Sequence, residues 1–215
     1  MTTPFYIKDC ALAVMATGEA AESLIQFREA LIKVPLSSIY YHFWGGRLRS
    51  TFTHPEFHND FAMWAHMHLR DDVLSEKLGI LDPIDYPNLE DLRRTIIELV
   101  EERLEEVEYI LWSKRDTLFH FLHSTIIIFD THIQALHPSD LKSIIPNLTA
   151  SSIFYHFIDA RTRSPNGMDD FSTWLTHFKE DFPELLAKVE EIDPFFLTPA
   201  EIRQKLSELI NEHFK

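Results

Sequence analysis

The sequence predicts a mainly α-helical protein with a few short strands, built as two tandem, pseudo-symmetric helical modules that pack together. The main observation is a heptad that occurs twice: SSIYYHF at Ser37–Phe43 returns as SSIFYHF at Ser151–Phe157, with six of seven positions identical. The second observation is apolar spacing of three to four residues over most of the remaining chain, which is typical of amphipathic helices. We expect each module to have one N-terminal strand followed by about four helices, with modules at residues 1–112 and 113–215.

The match between the two halves extends beyond the heptad. Residue numbers differ by 114 near the heptad, which pairs Arg47 with Arg161, and by 110 further on, which pairs Trp64 with Trp174. A repeat of this length is typical of two similar modules rather than of a solenoid. Since no Gly/Ser-rich linker separates the halves, we expect them to pack against each other.

Each half opens with an apolar stretch. Phe119–Phe129 is rich in β-branched and aromatic residues and predicts a strand. Phe5–Ala16 also suits a helix, but its match to the second half favours a strand. Polar turns are expected after the two strands, at Thr17-Gly18 and Asp130-Thr131.

Helices are expected after these stretches. Glu19–Lys33 has the spacing of an amphipathic helix, and each heptad predicts a second helix that begins at one of its serines. Third helices are expected to begin at Asn59-Asp60 and Asp169-Asp170, where an Asn or Asp cap is followed by a carboxylate in the first turn. Final helices are expected to start at two further cap residues, Asn88 and Thr198.

Composition excludes several functional classes. The formal net charge of -14 argues against binding to nucleic acids and to anionic membrane surfaces, and it permits a basic partner. No apolar stretch approaches the roughly 18 residues of a membrane span, and no glycine-rich nucleotide motif is present, so no membrane or cofactor is expected. With Cys10 as the single cysteine, no intramolecular disulfide can form, and a cytoplasmic location is expected.

One polar set occurs in both halves: His42, Arg47, Asp60 and Trp64 match His156, Arg161, Asp170 and Trp174. A histidine near a carboxylate and an arginine can transfer protons or bind an anion. The alternative is a structural cluster, in which the Asp caps the third helix and the His tethers the second helix to it. Its occurrence in both halves favours the structural role.

The two halves differ most directly after the heptad, where Trp44-Gly45-Gly46-Arg47 stands against Ile158-Asp159-Ala160-Arg161. Two glycines after an aromatic residue indicate a helix end with close backbone approach, and they could also open a small pocket. Any ligand site is therefore expected here, and its candidate residues are Tyr41, His42, Trp44, Arg47 and Asp60.

Four histidines follow in the first half: His54, His58, His66 and His68. His54 and His58 would share a helix face, but Pro55 places His54 before any helix, and His66 and His68 are only two positions apart. We therefore predict exposed histidines and no metal site. A separate acidic run, from Glu98 to Glu108, predicts a solvated helix face that could receive a basic partner.

Four segments resemble a bacterial domain-of-unknown-function family, number 5752, whose members carry IRDCALA, YYHFWGG, NDFAxW and FYHFIDAR. The corresponding segments are Ile7–Ala13, Tyr40–Gly46, Asn59–Trp64 and Phe154–Arg161. The resemblance covers essentially the whole chain. It implies a link to carbohydrate pathways and carries over no catalytic residue.

Because no complete catalytic motif is present, the sequence predicts a non-catalytic binding or adaptor protein whose partner is a protein or a small molecule. The alternative is a sugar or sugar-phosphate enzyme, in which Arg47 would hold the anion and His42 would move the proton.

Overall fold

The computed structural model describes residues 3–48, 57–107, 112 and 117–214. The elements in chain order are β1 (Phe5–Ala21), α1 (Leu24–Lys33), α2 (Leu36–Trp44), a 3₁₀ turn (Gly45–Leu48), α3 (Asp60–Trp64), a π-helix (Ala65–Leu69), α4 (Asp72–Gly79), a 3₁₀ turn (Pro83–Asp85), α5 (Leu89–Glu106), β2 (Phe119–Ala135), a 3₁₀ turn (Pro138–Asp140), α6 (Leu141–Ile144), a 3₁₀ turn (Ile145–Asn147), α7 (Ala150–Ile153), a second π-helix (Phe154–Asp159), α8 (Ala160–Arg163), α9 (Asp170–Leu175), a 3₁₀ turn (Thr176–Phe178), α10 (Pro183–Glu190) and α11 (Pro199–His213).

The prediction of a mainly helical chain is right, but the predicted arrangement of tandem, pseudo-symmetric modules with short strands is wrong. The strands β1 and β2 have 17 residues each, and they pair with each other in one two-stranded sheet. A lone strand leaves its backbone N–H and C=O groups unpaired, so a module containing a single strand could not satisfy its own backbone. Each strand finds its partner in the other half of the sequence.

The chain divides into two compact units. The central unit is Leu12–Thr125, and the terminal unit combines Met1–Ala11 with Ile126–Lys215. Each unit therefore contains one part of both strands. The predicted boundary between residues 112 and 113 comes from the match between the two halves of the sequence, and it stays a prediction.

The central unit has an aromatic core under its part of the sheet. Phe27, Phe61 and Phe121 are fully buried, and the ring centres of Phe27 and Phe61 lie 5.6 Å apart. Helix α1 begins at Leu24 rather than Glu19, since Ser23 supplies the cap by accepting the Gln26 N–H. Helix α5 begins after Asn88 as predicted.

The terminal unit has a similar core, in which Phe154, Phe157 and Phe171 are buried. The predicted capping box at Thr198 is present at the start of α11. The second heptad begins in α7 and continues into the second π-helix, with Thr149 as its cap. The predicted serine caps are therefore wrong in this unit, and also in α2, which begins after Pro35 without a side-chain cap.

The predicted polar turns lie inside the strands. Gly18 in β1 has φ 88° and His132 in β2 has φ 58°, so each strand contains one residue in the left-handed region. Glycine adopts this conformation readily, whereas other residues do so at a cost of about 1–2 kcal/mol. No helix in the described part of the chain has both the length and the apolar character needed to cross a bilayer.

Candidate functional site

His42 fixes a strand to two helices in the central unit. Its Nδ1 lies 2.8 Å from Asp60 Oδ2 at the start of α3, and its Nε2 accepts the backbone N–H of Leu122 in β2 at 3.0 Å. A backbone amide can only donate, so Nε2 must accept and the ring proton sits on Nδ1, facing the carboxylate. The hydrogen bond between His42 and Asp60 was predicted, although Asn59, and not Asp60, caps α3.

His156 has the same role in the terminal unit. Its Nδ1 lies 2.8 Å from Asp170 Oδ2, and its Nε2 accepts the backbone N–H of Lys8 in β1 at 2.8 Å. The hydroxyl of Ser152 donates to the carbonyl of the same residue, Lys8, at 2.7 Å. One strand residue thus has both backbone groups bonded to helix side chains, and the imidazole is held in one tautomer.

Of the other predicted site residues of the central unit, Tyr41 and Trp44 belong to the core and Arg47 is half-buried. Tyr41 and Trp44 are buried, and the Arg47 guanidinium lies 4.6 Å from the centre of the Trp44 ring. A Cβ added at Gly45 would lie 2.3 Å from the Tyr41 ring, so this glycine permits the close approach that the sequence indicated. Tyr41 and Trp44 thus pack at the end of α2, with the half-buried Arg47 beside them.

The matched residues of the terminal unit are also built into the packing. Trp174 donates from Nε1 to the Thr3 carbonyl at 2.9 Å, and Arg161 lies 3.4 Å from the buried Asp169 carboxylate. Burial raises the pKa of Asp169, against the hydrogen bonds from Ser172 and the nearby Arg161, which lower it.

Sequence reasoning overlooked Arg163 in this unit. It contacts the ring of Tyr155 at 4.2 Å, pairs with Asp159 at 2.8 Å and reaches Asp170 at 3.3 Å. Burial raises the pKa of Tyr155, and the charge of Arg163 partly offsets this effect. These contacts occupy the carboxylate that holds His156, which supports a structural role for the set.

A cleft of about 760 Å³ opens beside helix α4 in the central unit. Asp72, Ser75, Glu76 and Gly79 line it, and their spacing at i, i+3, i+4 and i+7 places them on one face of the helix. The opposite face of α4 carries the buried Leu74 and Leu78. This spacing is the sequence signal that could have identified the wall, although it is equally typical of an ordinary solvated face.

The other described cleft residues come from the segment before α3, from the π-helix and from the end of α4. They are Phe57, His58, His66 and Ile80. His66 Nδ1 lies 2.7 Å from Asp72 Oδ1, and its ring centre lies 5.2 Å from that of Phe57. π-helical turns often occur at functional sites, and this one directs His66 toward α4.

Buried hydrogen bonds hold the walls of the cleft in place. Asp71 caps α4 by accepting the Leu74 N–H, and it also accepts the Arg103 Nε–H at 2.8 Å. The hydrogen bond to Asp71 raises the pKa of Arg103. Ser75 donates to the Ala62 carbonyl at 2.8 Å, which ties α4 to α3. The walls of the cleft are therefore formed by helices that hydrogen bonds hold in place, as a preformed binding site requires.

The predicted histidine group is only partly brought together. His58 and His66 line the cleft, whereas His68 is half-buried elsewhere and burial lowers its pKa. His54 lies outside the described residues. In the described ranges, no three His, Cys, Asp or Glu side chains are grouped so that they could hold a metal ion.

The acidic run on α5 is less available than predicted. Glu101 pairs with Arg28, Glu102 lies 3.4 Å from Lys77, and Glu106 lies 2.9 Å from Arg103. Glu108 lies outside the described residues. Glu101 and Glu102 thus join α5 to α1 and α4, whereas the pair of Glu106 and Arg103 lies within α5.

Comparisons with known proteins give a family and a fold. A family model described as "Family of unknown function (DUF5752)" matches residues 2–211. A solved structure, OrfY from Thermoproteus tenax, is similar, with a TM-score of 0.80 and 24% sequence identity over 98% of this chain and 95% of that chain. A search of curated proteins finds no match. At this identity, the structural similarity shows the fold alone.

Proposed function

We propose that this chain, which belongs to the family of unknown function DUF5752, is a non-catalytic binding protein that holds its partner at the cleft beside α4. The observation that carries the proposal is the use of both nitrogens of His42 and of His156 in bonds to the protein itself. A general base needs a lone pair within reach of the substrate, and these imidazoles have none to offer.

The geometry gives less support to the alternative enzyme at Tyr41, His42, Trp44, Arg47 and Asp60. Tyr41, His42 and Trp44 are each only 3% exposed, so a substrate could not reach them without opening the core. That alternative stays a prediction from the sequence.

The accessible pair of His66 and Asp72 requires separate consideration, because a histidine oriented by a carboxylate can act as a base. Catalysis also needs a nucleophile or a group that stabilises developing charge. The Ser75 hydroxyl in this cleft is occupied by the Ala62 carbonyl. Among residues 57–107, which the structure describes without a gap, the side chains that line the cleft include no Lys, Arg, Asn or Gln. The composition of the cleft therefore favours binding.

The proposal can be tested by native mass spectrometry of the chain purified gently from its own cells. Three forms would be compared: the unchanged chain, Glu76→Arg in the cleft wall, and Glu98→Arg on an exposed position of α5 as a control with the same change of charge. We expect a bound molecule or protein on the unchanged chain and on Glu98→Arg, and its loss from Glu76→Arg.

Two results would overturn the proposal. One is a bound species that Glu76→Arg retains, since the binding site would then lie elsewhere. The other is chemical conversion of the isolated species on incubation with the unchanged chain, which would show an enzyme. Circular dichroism of each variant would confirm that the substitution leaves the helices intact.

A further inference from the structure

The charges, shape and apolar surface of the cleft together point to a ligand class. Resting on the proposed binding role, we infer that the cleft receives the side chain of a lysine or arginine, presented by an extended basic segment of a partner protein.

The charge of the cleft is one-sided where the structure describes it. Asp72 and Glu76 stand one turn apart on the same wall, and no lysine or arginine is among the described lining residues. The next residue, Lys77, is directed to α5, where it lies 3.4 Å from Glu102 and 3.5 Å from Glu106. An incoming cation therefore meets two carboxylates without a competing positive group of the wall.

Asp72 keeps acceptor capacity even though it bonds His66. Its Oδ1 takes the His66 contact, its side chain is 75% exposed, and a carboxylate offers about four lone-pair sites. Within the described part of the chain, the Glu76 carboxylate makes no hydrogen bond or ion pair, while its backbone carbonyl accepts the Ile80 N–H. The two carboxylates can together accept several N–H bonds from one ammonium or guanidinium group.

The apolar surface suits the stem of such a side chain. Phe57 and Ile80 lie beside the carboxylates, and Ile80 is 78% exposed. Lysine and arginine bury their methylene stems on apolar surface while the charged end remains near polar groups, and a cation near an aromatic ring gains further attraction. The cleft volume of about 760 Å³ exceeds one side chain and leaves room for the flanking residues of a peptide.

The net charge of the chain favours the same partner. At -14, the protein attracts basic segments over a distance and repels nucleic acids and acidic peptides. The acidic run on α5 shares this charge, but its Glu101, Glu102 and Glu106 are already paired with basic residues of the unit. The cleft differs from this run, because it combines an apolar wall with carboxylate oxygens that can still accept hydrogen bonds.

The experiment is a titration of the ¹⁵N-labelled full chain, followed by NMR through the amides of Glu76 and Gly79. The probes are two capped tripeptides, acetyl-Ala-Lys-Ala-amide and acetyl-Ala-norleucine-Ala-amide, which differ in the ammonium group. A neutral disaccharide serves as a third probe. The protein variants are Glu76→Gln in the cleft and Glu98→Gln on α5, which remove the same charge.

We expect saturable shifts with the lysine peptide and affinity lower by about ten-fold for the norleucine peptide. Glu76→Gln should weaken lysine binding by about two- to five-fold, as for an exposed ion pair, and Glu98→Gln should leave it unchanged. Equal binding of both peptides, a preference for the disaccharide, no binding of the lysine peptide, or an equal loss in both variants would overturn the inference. None of these four results conflicts with a bound species that depends on Glu76 in the mass spectrometry test. The proposed binding role and the inferred basic ligand can therefore fail separately.

Discussion

Replacement of His156 tests whether this histidine joins β1 to the helices of the terminal unit. Asparagine places its amide near the position of Nδ1, and glutamine places its amide near the position of Nε2. His156→Asn therefore keeps a donor for Asp170 and loses the acceptor for the Lys8 N–H, whereas His156→Gln does the reverse. The two variants separate the two bonds of one ring.

The structure sets the magnitudes. Loss of the acceptor leaves the Lys8 N–H without a hydrogen bond. In the unchanged chain the buried His156 ring covers this N–H, so the loss costs about 1–3 kcal/mol. Loss of the Asp170 bond costs less, about 1 kcal/mol, because that carboxylate is 30% exposed and keeps Arg163 at 3.3 Å. The ring also packs 5.1 Å from the centre of Phe5, so both variants lose some packing.

We expect His156→Asn to lower the free energy of unfolding by about 2–4 kcal/mol and His156→Gln by about 1–2 kcal/mol, with urea unfolding followed by circular dichroism as the assay. Hydrogen exchange adds a local measurement: the Lys8 amide should exchange faster in the Asn variant and stay protected in the Gln variant. His120→Asn, at an exposed position of β2, is the control. Equal stabilities of the two variants, with Lys8 protected in both, would refute the assigned hydrogen bonds.

Three further predictions concern buried side chains. Burial, with a smaller effect from Asp9, raises the pKa of Cys10 to about 12, so a thiol reagent at pH 8 should label the folded chain far more slowly than the urea-unfolded chain. The Ser38 hydroxyl is buried without a hydrogen bond in the described residues, so Ser38→Ala should stabilise the chain by about 1 kcal/mol in urea unfolding. Ser152→Ala removes a hydrogen bond to the Lys8 carbonyl and should destabilise the chain by about 1–2 kcal/mol. Burial raises the pKa of Asp169 above 3.8, so the folded state binds its proton more tightly than the unfolded state does. Relative to Asp169→Asn, the unchanged chain should therefore gain stability as the pH falls through the folded pKa toward 3.8. A stability difference that does not depend on pH would contradict this.

The sequence predicted the buried polar bonds better than the sheet. Within an apolar helix, a histidine must find a hydrogen-bond partner, and the matched Asp60 and Asp170 supplied one at the expected place. The pairing of β1 with β2 depends on residues more than 100 positions apart, and a single sequence carries little information about such a partner. Local propensity therefore indicated two strands without showing that they belong to one sheet.

The cleft was difficult to predict for a different reason. Asp72 and Glu76 lie on the exposed face of an amphipathic helix, where acidic residues are common and need no functional explanation. Only the fold shows that His66 and Phe57 come from the preceding segments to the same place. The sequence placed its candidate site at Tyr41, His42, Trp44, Arg47 and Asp60, whereas the wall of the cleft comes from α4.

The two kinds of His–Asp pair in this protein show why accessibility matters more than residue type in assigning a role. The pairs of His42 and of His156 have N–O distances of 2.8 Å, and the pair of His66 has 2.7 Å, so the distance alone does not separate them. The buried rings use the second nitrogen to bond a strand amide, which also protects an edge that a two-stranded sheet would otherwise leave open. The exposed ring of His66 has no such partner in the described part of the chain, so a molecule outside the chain can reach its second nitrogen without breaking the fold.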